Sequence, residues 1–147
     1  MRLLLCSWSA DIGIALVDRD EAELRSATDE LGAGEAIIVD VSEYDAVTSM
    51  VDQTIKVFGQ IDAPVNNAGV AYFGPMVETE FARWRHVMAT NLDGIFLCSQ
   101  AVLPWLKQSR GCIVNIASIS GFAGLNAPGC LRNIESCRYP PHQTAGC

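Results

Sequence analysis

Apolar residues in this chain fall into short runs that alternate with stretches of helical spacing. Asp11 to Val17 (DIGIALV) is a nearly continuous apolar run, the pattern of a strand buried on both faces of a parallel sheet. It stops at Asp18-Arg19-Asp20. Glu21 to Leu31 then carries Ala22, Leu24, Ala27 and Leu31 in a helical setting, with acids in the first turn and Gly32 at the stop. Ala36 to Val39 (AIIV) reads as a second buried strand, ended by Asp40. Ser42-Glu43-Tyr44-Asp45 resembles a capping box and opens a helix that runs to about Phe58, where Gly59 closes it. Ile61 to Val65 is a third strand, weakened by Pro64, which cannot donate to a ladder. Asn66-Asn67-Ala68-Gly69 follows as a loop. Phe81, Trp84, Met88, Asn91, Ile95, Val102 and Leu106 share one helical face, so the spacing predicts a long helix over 80–108. Cys112 to Ala117 (CIVNIA) is the fourth strand, with Ser118 at its end.

Strands alternating with helices imply right-handed crossovers and a parallel sheet covered on both faces, a doubly wound α/β fold. The texture changes after Gly129: Cys130 to Cys147 has no period, two adjacent prolines and three cysteines. With 147 residues the chain is long enough for one ordinary domain. Half of them are hydrophobic and only 18% charged, which excludes a disordered or acidic solvating chain. The net charge of -7 gives no general attraction for phosphate backbones or anionic lipid, so neither nucleic acid nor a membrane surface is an expected partner. No apolar run approaches the roughly 18 residues needed to span a bilayer. The opening Met1-Arg2-Leu3-Leu4-Leu5-Cys6 imitates a signal peptide, but its apolar stretch is shorter than the ~7 residues such a segment needs. A cytoplasmic location is expected. Cysteine usage agrees: there is no CxxC, and Cys98 and Cys112 fall where a small apolar thiol simply packs.

In a doubly wound sheet, ligands bind beyond the carboxyl ends of the strands, so polar residues there are the ones to weigh. Asp18 ends the first strand. A carboxylate at that point can accept both hydroxyls of an adenosine ribose and repel a 2'-phosphate; it can equally be a helix cap. Asp40 ends the next strand and carries the same two readings. The Asn66–Gly69 loop combines side-chain amides with a glycine that allows close backbone approach to a flat ligand, or is an ordinary polar turn. Asn91 sits on the apolar stripe, where an amide must be hydrogen-bonded. It is either a satisfied core amide or a fixed amide that holds a water or a catalytic side chain. Ser118 could donate to a substrate oxygen or cap a strand end.

Together these pieces carry a family resemblance. ALVDRD (15–20), VDVS (39–42), VNNAG (65–69), ATNLDGIF (89–96) and IVNIASISG (113–121) occur in order and at family spacing, so that 11–129 resembles the middle of a classical short-chain dehydrogenase/reductase. The resemblance implies a Rossmann-like doubly wound parallel sheet, truncated at both ends, and reversible hydride transfer between a nicotinamide and a secondary alcohol/ketone pair. It implies NAD as cofactor, with NADP disfavoured because Asp18 matches the acid that selects between them, although Arg19 stands beside it. By the same resemblance Asp40 and Val41 match the pair flanking the adenine, and Asn67, Ala68 and Gly69 the loop supporting the cofactor. Asn91 matches the helix asparagine that holds a proton-relay water, and Ser118 the serine that orients the substrate. A small alcohol or ketone substrate and the homo-oligomer typical of the family, paired through the long helix, are further implications.

Two family features have no match. The glycine-rich turn that binds pyrophosphate has no counterpart in residues 1–10, and Gly13 lies inside a strand. The first strand of the family is central, so its loss is expected to leave two strand edges unpaired. The general acid/base tyrosine with a lysine four residues on is also unmatched: Thr48, Met76 and Gln143 lie four residues after Tyr44, Tyr72 and Tyr139. The tyrosine's usual place, thirteen residues after Ser118, holds Leu131, and the lysine's place holds Glu135. Little or no turnover is therefore expected. Residues 130–147 read as an aberrant tail. Read one nucleotide later, the codons from Cys130 onward permit Ala-Tyr-Ala-Thr-Ser-Lys-Ala-Ala-Val, with tyrosine and lysine in the family's places, which points to a shifted frame. The alternatives are a Cys₃His metal site from Cys130, Cys137, His142 and Cys147, and a non-catalytic fragment that associates with a homologue.

Overall fold

The computed structural model of the chain describes residues 3–7 and 13–118. They fall into two compact units, residues 3–7, 13–70 and 88–116 in the first and 71–87 with 117–118 in the second. The tail beyond Ser118, with Leu131, Glu135 and the Cys/His set, lies outside the described residues, as do Asp11 and Ile12.

The first unit is built on a five-stranded sheet. Its strands are β1 (Leu3–Ser7), β2 (Gly13–Asp18), β3 (Glu35–Ile38), β4 (Ala63–Asn66) and β5 (Val114–Asn115), in the order β3-β2-β1-β4-β5. β2 pairs with β3 in parallel, and β4 with β5 likewise, as the alternation of strands and helices predicts. The centre of the sheet differs from expectation. Instead of two unpaired edges, β1 fills the slot between β2 and β4, and it runs antiparallel to both. The register sets Leu3 opposite Val17 and Ser7 opposite Gly13. Chain length explains the direction. Only residues 8–12 separate β1 from β2, whereas a parallel return needs a crossover of roughly a dozen residues or more.

Helices cover both faces of the sheet. α1 (Glu21–Leu31) buries Leu24 and Ala27 against Leu16 on one face. α2 (Tyr44–Phe58) and α4 (Gly94–Ser109) bury Val47, Met50, Val51, Cys98, Val102 and Leu106 against Ala15, Val17, Ile37 and Val39 on the other. The odd and even residues of β2 thus face opposite helical layers, which is why its sequence is apolar throughout. Full burial of a side chain such as Leu24 contributes roughly 1.5–3 kcal/mol. Burial pushes the Cys98 thiol up to about 12, so it packs as a neutral apolar group. No helix among the described residues is long and apolar enough to cross a membrane.

Local chemistry sets the helix ends. Asp20 caps α1, its Oδ1 accepting from the Ala22 and Glu23 N–H groups at 3.0 and 3.1 Å. Gly32 ends it in the left-handed region at φ 66°. The capping box expected at Ser42–Asp45 does not form. Glu43 occupies the cap position without a side-chain bond, and the Ser42 hydroxyl donates instead to Asp40 Oδ1 at 2.7 Å. Gly111 marks the return from α4 to β5, where an added Cβ would lie 2.1 Å from the Asp62 carbonyl oxygen.

The long helix expected over 80–108 is divided in three. α3 (Phe81–Met88) leads into a π-helical turn, Ala89–Asp93, and then α4. The wide turn rephases the helix, so the buried face passes through Thr90 and Asn91 and then Gly94, Cys98, Val102 and Leu106. Ile95 is only partly buried and Phe81 is exposed, contrary to the single stripe read from sequence. Gly94 allows the approach: a Cβ there would meet Val41 Cγ2 at 2.9 Å. The described residues of the second unit include a 3₁₀ turn, Met76–Glu78, and most of α3, with the Arg83 guanidinium 4.9 Å from the centre of the Tyr72 ring.

Candidate nucleotide-binding site

β2 and β3 run in the same direction, so their carboxyl ends, Asp18 and the residues just past Ile38, share one edge of the sheet. A cleft of about 1110 Å³ opens there. Its lining includes Asp18, Asp40, Val41, Asn67, Ala68 and Gly69, the six positions singled out for the cofactor in the sequence.

Asp18 is 9% exposed, and its Oδ1 accepts the Asp20 N–H at 3.1 Å. The cap of α1 is Asp20, and Asp18 lines the cleft. Asp40 is held more firmly. Its Oδ1 accepts from the Ser42 N–H at 3.0 Å and from the Ser42 hydroxyl at 2.7 Å. Its Oδ2 lies 3.6 Å from Arg19 Nη1. Burial presses Asp40 towards its neutral form, but the Ser42 donors and the Arg19 guanidinium outweigh it and hold its carboxyl below the usual carboxylate range. Val41 is 6% exposed and offers an apolar wall.

The loop after β4 is positioned from the π-helical turn. Asn91 Oδ1 accepts the Val70 N–H at 2.8 Å, and Asn91 Nδ2 donates to the Val70 carbonyl at 2.9 Å. Both ends of the amide are thus engaged by one residue of backbone, the geometry of a satisfied core amide, and Asn67–Gly69 is anchored just before that point. One turn back, Asn66 Nδ2 donates to Asn115 Oδ1 at 2.8 Å and to Ser99 Oγ at 3.2 Å, tying β4 to β5 and α4. Asn66 ends β4 opposite Asn115, and Asn67 begins the loop that the resemblance assigns to the cofactor. Arg19, Glu23 and Thr90 also line the cleft and were not foreseen as lining residues. Ser118 is half-buried and belongs to the second unit.

An adenosine fits this donor set, with a carboxylate at one strand end, an apolar wall and a glycine-containing loop. A pyrophosphate has no such cradle in β1. Because β1 is antiparallel, its carboxyl end, Ser7, lies at the Gly13 end of β2, opposite the edge that carries Asp18. Gly13 has a packing role: an added Cβ would lie 2.5 Å from the Phe58 ring.

Comparison with known proteins agrees with the fold and the motifs. A family model described as short chain dehydrogenase matches residues 7–129. Meso-2,3-butanediol dehydrogenase of Serratia marcescens is 36% identical over 122 residues, 83% of this chain and 45% of that protein. A protein of Xanthobacter autotrophicus named inactive 2-(S)-hydroxypropyl-CoM dehydrogenase 2 is 38% identical over 114 residues, 76% of this chain and 50% of that one. The crystal structure of the apo form of LigO from Sphingobium sp. strain SYK-6 superposes with a TM-score of 0.77 at 26% identity, covering 84% of this chain and 48% of that chain. The chain spans about half the length of the curated relatives it matches. With most of its residues matched by the family model and the sheet edge arranged as described, the chain belongs to the short chain dehydrogenase family.

Proposed function

We propose that the chain is the nucleotide-binding part of an NAD-dependent oxidoreductase of secondary alcohols and ketones, and that it has little or no turnover of its own. The observation that carries this reading is the convergence of Asp18, Asp40, Val41 and Asn67–Gly69 on one cleft at the carboxyl edge of the sheet. Asp18 accepts the adenosine ribose hydroxyls, Val41 packs on the adenine, and the Asn67–Gly69 backbone faces the rest of the ligand. The nicotinamide, when bound, supplies the hydride acceptor or donor. Ser118 orients a substrate oxygen, and Asn91 serves by holding the Asn67–Gly69 loop through Val70. Relatives named as dehydrogenases of meso-2,3-butanediol and of 2-(S)-hydroxypropyl-CoM support the substrate class, and the second is named inactive.

Calorimetric titration of the chain with NAD tests this reading. Binding is expected for the unmodified chain, and Asp18→Ala is expected to weaken it about tenfold or more, the scale of a lost charge-assisted hydrogen bond of roughly 1.5–3 kcal/mol. Equal affinity of the two chains would contradict the placement of the ribose at Asp18.

A further inference from the structure

Among the described residues that line the cleft, Arg19 is the one cation, against the carboxylates of Asp18, Asp20, Glu23, Glu30 and Asp40. It stands one residue beyond Asp18, next to where a ribose 2' substituent would sit under the reading above. A free guanidinium at that point would welcome a 2'-phosphate. It is not free: its Nη1 lies 3.6 Å from Asp40 Oδ2. Asp40 cannot follow a moving arginine, because its other oxygen is fixed by the Ser42 N–H and hydroxyl. Its carboxyl is also held in the charged form by those donors and by Arg19 itself.

We propose that Asp40 is a specificity-determining residue that keeps the site selective for a 2'-hydroxyl by holding Arg19 across the β2–β3 strand ends. The inference rests on the proposed nucleotide reading of the cleft and assigns the selection to a pair of residues rather than to Asp18 alone. A 2'-phosphate must draw Arg19 off Asp40 and then sit beside the exposed Asp40 carboxylate, whereas a 2'-hydroxyl asks nothing of the pair. Both partners are partly solvated, with side chains 50% and 38% exposed, so the effect is modest. The upper end of the energy range of such surface pairs corresponds to a preference of about fivefold.

A double-mutant cycle on the full chain isolates this coupling. Adenosine 5'-monophosphate and adenosine 2',5'-bisphosphate serve as probes, since they differ only at the 2' position, and their affinities are read by NMR titration. Asp40→Asn keeps the oxygen acceptor that Ser42 uses but releases Arg19; Asp40→Ser is a second variant with the same intent. The affinity ratio of bisphosphate to monophosphate is expected to rise about fivefold in either variant. Arg19→Gln alone is expected to leave the ratio within about twofold, and Asp40→Asn combined with Arg19→Gln to abolish the rise. A ratio unchanged by the Asp40 variants, or a rise that persists without Arg19, overturns the proposal while leaving the nucleotide reading standing. Failure of both probes to bind any of the chains overturns the nucleotide reading and the proposal with it.

Discussion

Supplied with NAD and a panel of secondary alcohols, or with NADH and ketones, the purified 147-residue chain is expected to show no turnover above background. Hydride transfer to or from a carbinol carbon requires a proton to leave or reach its oxygen, and a positioned acid/base group typically contributes about 10² to 10⁴ in rate. In proteins resembling this one that group is a tyrosine assisted by a lysine four residues on. Here Leu131 and Glu135 occupy those places, and neither Tyr44, Tyr72 nor Tyr139 has a lysine at that spacing. A serine hydroxyl such as that of Ser118 can orient a substrate oxygen, but it does not replace the tyrosine as the acid/base group. Among the described residues β1 leads into β2 with no helix N-terminus to cradle a pyrophosphate, so a dinucleotide is expected to be held mainly at its adenosine end. Absorbance at the reduced-nicotinamide band, followed over hours at high protein concentration, checks the expectation. Robust turnover at rates of the active relatives would contradict it.

A proline at Leu4 is expected to be among the most damaging single substitutions in the chain. Leu4 pairs with Leu16 on one side and Val65 on the other, at the centre of the sheet. A central strand has a ladder partner for each N–H, and proline removes the donor while leaving the partner carbonyl buried. The lost bond and the orphaned carbonyl together amount to about 2–4 kcal/mol. That is a large part of a typical domain stability of roughly 5–15 kcal/mol. The expected result is a lowered denaturant midpoint or loss of the cooperative transition, read by circular dichroism during urea unfolding. The test bears on β1 itself. If Leu3–Ser7 did not occupy the central slot, Leu4→Pro would fall in a dangling end and leave the midpoint unchanged.

Much of the fold was legible because the local and long-range signals agree. Leu24 and Ala27 lie at helical spacing behind Asp20, and Gly32 stops the helix, so α1 has the limits read from the chain. DIGIALV is apolar at every position from Ile12 to Val17 because the described part of the run is packed from both sides. Of the six positions proposed for the cofactor, Asp18 and Asp40 stood out because they lie at strand ends, where a parallel sheet exposes its ligand edge; Val41 and Asn67–Gly69 were assigned only by the family resemblance. What the chain concealed was non-local. Nothing in LLLCS announces the direction of a strand; that follows from the short link to Gly13 and from an open slot between β2 and β4. The π-helical turn depends on Asn91 reaching Val70, twenty-one residues away, and on Gly94 meeting Val41, so a regular 3.6 period misplaced Ile95 and Phe81. Ser42 was read as a cap because the pattern fits, but the neighbouring Asp40 carboxylate competes for the same hydroxyl.

An adenine nucleotide is expected to lie at the carboxyl edge of β2 and β3, against Asp18, Asp40 and the Asn67–Gly69 loop. Amide chemical-shift mapping of the isotope-labelled chain during titration with ADP-ribose tests it most directly, because it reports place rather than mere binding. Saturable shifts are expected to centre on Asp18–Asp20, Asp40–Ser42 and Asn67–Val70, with little change at Gly13, Gly34 and Phe58 at the opposite end of the sheet. Shifts concentrated at that opposite end, or none in the Asp18 and Asp40 amides at saturation, would contradict it.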